Sequence, residues 1–156
     1  MSLDLMIVIK DRMTKDLKKM VHDLLIQGGF EKGRHVYGLV NENINMDVSY
    51  STAADIRWYW HDMDDLLSVM GFMPKSEINL SSRHTHLSHI TSYKLAKKIA
   101  AHVDGYIYDP QVGELYDCRG KPLKQSRRKG GFKYGSGTSL FMKSVGLVSE
   151  IVRGSK

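Results

Sequence analysis

The chain has 156 residues, 42% hydrophobic and 26% charged, with 23 Lys/Arg against 17 Asp/Glu and a formal net charge of +6. A chain of this length buries about 70% of its unfolded surface as one domain, its apolar content excludes wholesale disorder, and no apolar run approaches the roughly 20 residues that cross a bilayer. A single cysteine, Cys118, excludes an internal disulfide framework; with an N-terminus MSLDLMIVIK that lacks the features of a secretory leader, it sets the expectation of a cytoplasmic protein.

The charge is unevenly placed. Residues 1–117 hold 13 Lys/Arg and 16 Asp/Glu, or −3; residues 118–156 hold 10 Lys/Arg and only Glu150, or +9. The basicity is a property of the C-terminal quarter.

In chain order, Leu3 to Ile9 is a nearly continuous apolar run, the pattern of a strand buried on both faces. Thr14 can cap a helix from Lys15 to Gln27, with Leu17, Met20, Val21, Leu24 and Leu25 inward and Gly28-Gly29 ending it. His35 to Val40 reads as a strand, and Asn41 to Thr52 as a loop or an irregular edge. One helix is expected from Thr52 to Gly71, with Ile56, Trp60, Met63, Leu67 and Met70 as its apolar stripe. Glu77 to Ser81 reads as a strand and Ser88 to His102 as a helix, with Ile90, Leu95, Ile99 and Val103 inward. Tyr106 to Asp109 and Glu114 to Asp117 form a hairpin pattern around Pro110 to Gly113. A glycine-rich basic loop over about 119–137 and an amphipathic helix over about 139–152 close the chain. The alternation predicts an α/β or α+β single-domain sandwich: a small mixed sheet with helices packed mainly on one face.

Three constellations bear on function. Trp58, Asp62 and Asp65 fall on one face if the second helix is continuous, and an aromatic ring among carboxylates is the composition of a partner-binding surface; the same stretch also fits core packing with a solvated acidic side. In the basic loop, Lys121, Lys124, Arg127, Arg128, Lys129 and Lys133 are interleaved with Phe132 and Tyr134, a mixture suited to phosphate contacts and base stacking, so a nucleic-acid-binding module is the alternative. His84, His86 and His89 cluster at a strand-to-helix junction and supply three imidazoles, enough for a metal-dependent hydrolase if they converge, although no HExxH motif and no cysteine accompanies them. The plainer reading is a solvated polar helix start. No complete nucleophile, acid-base or Walker-type set is present in the sequence, so the chain reads as a non-enzymatic binding protein with no cofactor.

The unit ITSYKLAKKIAAHVDGYIYDPQVGELYD, Ile90 to Asp117, resembles part of the small α/β immunity proteins of bacterial polymorphic toxin and contact-dependent inhibition systems. The resemblance covers about 28 residues. It implies a cytoplasmic protein that binds and blocks a toxin, and assigns no binding residue. The basic C-terminus departs from the acidic character usual in inhibitors of basic nucleases.

Overall fold

The computed structural model describes residues 2–83 and 85–123. Leu3, Leu5, Ile7 and Ile9 alternate with Met6 and Val8 along the first strand, β1 (Ser2–Ile9), and each set feeds a different apolar cluster. A strand with apolar side chains on both faces belongs inside a sheet. β1 pairs with β5 (Ser76–Arg83) on one side and with β6 (Tyr106–Asp109) on the other. The remaining strands are β2 (Glu31–Lys32), β3 (Val36–Val40), β4 (Asn45–Tyr50) and β7 (Glu114–Tyr116), in the order β2-β3-β4-β5-β1-β6-β7.

The helices are α1 (Lys15–Gln27), α2 (Ala53–Trp60), α3 (Asp64–Met70) and α4 (His86–Val103). The two long ones, α1 and α4, share a core with Leu5, Ile7, Met46, Val48, Ile78 and Leu80 of the sheet. The short pair, α2 and α3, covers Val8, Tyr108 and Leu115 on the opposite face. The mixed α and β architecture agrees with the alternating sequence signals.

The details differ in four places. Every pairing among the described strands is antiparallel, where a mixed sheet was expected. The crossover through α4 does join two strands of like direction, β5 and β6, but β1 lies between them and pairs with both. Second, Asn41 to Thr52, with the composition of a loop or irregular edge, contains β4, which sits inside the sheet between β3 and β5. Its Met46 and Val48 are buried while Asn45, Asp47 and Ser49 take the alternate positions, so half of the strand looks like loop in a linear reading.

Third, the single helix expected to Gly71 is two helices. The chain turns at His61-Asp62-Met63, and the Met63 amide donates to the Trp60 carbonyl at 3.2 Å. An unbroken 18-residue helix would be about 27 Å long. The turn instead lets Trp60, Leu66 and Met70 share one compact cluster with Val8 and Tyr108. Gly71 ends α3 in the left-handed region at φ 76°.

Fourth, the start of the expected basic loop is a tight turn. The Asp117 carboxylate accepts from the amides of Arg119 (2.9 Å) and Lys121 (2.8 Å), and Pro122 bridges back to Tyr116. The loop from Lys124 onward and the terminal helix lie outside the described residues.

α4 begins at His86 behind a Thr85 cap, whose hydroxyl accepts from the Ser88 amide at 3.0 Å and donates to the Asn43 carbonyl at 2.6 Å. Its buried side is Ser88, Ser92, Tyr93, Ala96, Ile99, Ala100 and Val103; Ile90 and Leu95 are only partly buried. Small residues on that side let the helix approach the sheet closely, a feature that a search for large apolar side chains overlooks.

Candidate functional site

Thr52 caps α2 by accepting from the Asp55 amide (3.2 Å) while its hydroxyl donates to the Asp55 carboxylate (2.8 Å). Ile56 and Trp60, four residues apart, then fall on the side facing the sheet and are buried. Trp58, midway between them, must point elsewhere, and it is 76% exposed. The two tryptophans of this chain therefore have opposite roles.

Trp60 fixes the helix. Its indole Nε1 donates to Glu77 Oε2 at 2.7 Å, Ser51 Oγ donates to Glu77 Oε1 at 2.6 Å, and Asn79 Nδ2 donates to Ser51 Oγ at 2.6 Å. Glu77 is 3% exposed, so both oxygens of a buried carboxylate are met by protein donors. Around this clamp the rings of Tyr59, Trp60 and Tyr108 pack with tilted or edge geometry at centroid separations of 5.4 to 6.5 Å. Burial pushes the hydroxyls of Tyr59 and Tyr108 above the ordinary tyrosine range.

Outside the clamp the surface is acidic. Asp55, Asp62, Asp64 and Asp65 are all exposed, with Arg57 the cation among them. The His61 ring bridges the Trp58 carbonyl (2.6 Å from Nδ1) and the Asp62 carboxylate (2.8 Å from Nε2). Asp64 and Asp65 occupy the first turn of α3, where the helix dipole favours negative charge. Trp58, Asp62 and Asp65 are therefore all at the surface, but they belong to α2, the turn and α3 in succession rather than to the one helical face expected of a continuous helix. The two short helices and the turn between them thus carry one large exposed aromatic ring and four exposed carboxylates. That combination suits binding, since a fixed aromatic side chain loses little entropy when it enters a pocket.

The other sequence candidates are placed as follows. Lys121 is exposed in the turn after β7; Lys124, Arg127, Arg128, Lys129, Phe132, Lys133 and Tyr134 lie outside the described residues. His86 is the first residue of α4 and His89 lies one turn further on, while His84 is not among the described residues. Burial, and then the neighbouring His86, holds the His89 imidazole below the ordinary histidine range, and its Nε2 is buried without a hydrogen-bond partner among the described residues. No group of three His, Cys, Asp or Glu side chains among the described residues is arranged to hold a metal ion. Cys118 is half-buried against the main core. No described helix is long and apolar enough to cross a membrane.

No protein-family model, curated protein or solved structure matches this chain.

Proposed function

We propose that the chain is a non-enzymatic protein-binding domain, an immunity-type inhibitor that inserts Trp58 into an apolar pocket on a basic toxin domain. The observation that carries this reading is a tryptophan 76% exposed on a helix whose next tryptophan is wholly buried and hydrogen-bonded to a buried glutamate. A large exposed ring on an anchored helix is apolar surface that a partner can bury at little entropic cost. The carboxylates around it select a partner of opposite charge. The resemblance of Ile90 to Asp117 to immunity proteins supports the same class of partner, a toxin domain.

The test is calorimetry and cell protection with the product of the adjacent reading frame. Binding and protection are expected, and Trp58→Ala should weaken binding by about 2 kcal/mol or more, the loss typical of a central hot spot. Failure to bind or protect, or a Trp58→Ala variant with full affinity, overturns the proposal.

A further inference from the structure

A cleft of about 650 Å³ opens between α1, the β2–β3 turn and the end of β4, reaching Thr52 at the start of α2. Its rim carries four fixed cations from three separate segments: Lys18 and Lys19 of α1, Lys32 of β2, and Arg34 of the turn. No carboxylate among the described residues lines it. Lys19 is held by Asp23 at 2.8 Å, whereas Lys18, Lys32 and Arg34 have no ion-pair partner among the described residues. Three cations without ion-pair partners on the lining of one concavity give it a positive potential, which favours an anionic ligand.

The walls add imidazole and phenol side chains. His22 Nδ1 lies 3.0 Å from the Tyr37 hydroxyl, and His35 stands in the same turn as Arg34. The Tyr50 hydroxyl is buried with no hydrogen-bond partner among the described residues, and burial, with Tyr37 adding to it, pushes it up to about 12, so it keeps its proton. Lys18 Nζ stands 6.0 Å from the centre of the Tyr50 ring, at the outer reach of a cation–π contact.

We propose that this cleft binds a polyphosphate group, with Lys18, Lys32 and Arg34 as the principal contacts. The volume falls in the range of small-molecule sites, about 300 to 1,000 Å³. It exceeds what one phosphate fills, and cations spread over three segments match a chain of phosphates better than a single one. Arg34 supplies the planar fork that grips phosphate oxygens in pairs, and the lysines act as point charges. A single-stranded nucleic acid fits less well. Base stacking needs open aromatic faces, and Tyr37 is buried while Tyr50 is partly so.

The experiment is titration calorimetry of the full chain at low ionic strength with inorganic triphosphate, ATP and a short single-stranded oligonucleotide. Saturable one-site binding of triphosphate is expected, weakening as salt is raised. Lys32→Ala with Arg34→Ala, both exposed positions, should lower the affinity about tenfold or more. Equal affinity for triphosphate and ATP identifies a bare phosphate chain as the ligand, and tighter ATP binding a nucleotide; either outcome supports the cleft. No saturable binding overturns the proposal. So does binding that survives the double substitution but is lost when Arg127, Arg128 and Lys129 become alanine, or an oligonucleotide that outcompetes triphosphate. None of these outcomes bears on Trp58, so the two proposals fail separately.

Discussion

Glu77 joins two elements with one carboxylate. It belongs to β5, receives the Trp60 indole of α2, and receives Ser51 from the segment leading into that helix. Trp60→Phe keeps a ring in the cluster but leaves Glu77 Oε2 without its donor; the expected loss is about 1–3 kcal/mol of stability, read from urea unfolding. A change within a few tenths of a kcal/mol would show that the hydrogen bond is dispensable. Asp109 behaves differently. It is 1% exposed, and its carboxylate accepts from the Gln111 amide (3.0 Å) and the Tyr93 hydroxyl (3.2 Å). Burial nevertheless holds its carboxyl above the usual aspartate value of 3.8, with nearby Glu114 acting in the same direction. A carboxyl raised in the folded state binds its proton more tightly there than in the unfolded chain. Its contribution to stability therefore improves as pH falls through the folded value and is fully present below 3.8; above the folded value it opposes folding. Asp109→Asn retains a carbonyl acceptor and removes the titration. The unfolding midpoint of the variant relative to the parent should be highest near neutral pH and decline on acidification. A difference independent of pH would rule out Asp109 as the titrating group.

At the level of elements, the legible parts were those in which a local cue and a tertiary role coincide. α1 has the expected bounds because Thr14 caps it, Val21 and Leu25 face the core, and the glycine pair stops it. β1 shows itself through apolar residues on both faces. β4 does not, because its outer positions Asn45, Asp47 and Ser49 are those of a loop and only the period-two spacing of Met46 and Val48 signals a strand. The break between α2 and α3 has no glycine or proline to mark it; it is imposed by the cluster that Trp60, Leu66 and Met70 share. Close approach is equally hidden. Gly105, in the joint between α4 and β6, is closely approached: a Cβ there would lie 3.0 Å from Ile7 Cγ2 and 3.1 Å from the Val8 carbonyl oxygen, tighter than ordinary contact. Since the Val8 oxygen is backbone and yields less readily than a side chain, Gly105→Ala should cost about 1–3 kcal/mol. Unfolding by urea measures it, and a neutral result would mean that Ile7 and Val8 give by the few tenths of an ångström required without penalty.

Across the whole molecule, a net charge says little about where charges gather. Residues 1–117 sum to −3, yet this body carries an acidic helix hairpin around Trp58 and a basic cleft around Arg34. The acidic patch was partly readable, since Asp62, Asp64 and Asp65 adjoin in sequence. The cleft was not, because Lys18, Lys19, Lys32 and Arg34 belong to segments brought together only when α1 packs beside the β2–β3 turn. If the hairpin receives a basic toxin domain, charge and ring should act on different kinetic steps. Exposed carboxylates attract a partner before contact, so Asp62→Asn with Asp65→Asn should slow association several-fold at low salt, with little change in dissociation. The difference should vanish toward 1 M salt, where charges are screened within about 3 Å. Trp58 acts only after docking, when its ring is desolvated, so Trp58→Ala should speed dissociation and leave the association rate within a few-fold. Surface-plasmon measurements over a salt series separate the two. Equal loss of association rate in both variants would mean that Trp58 steers rather than anchors, contrary to the buried-ring interface proposed here.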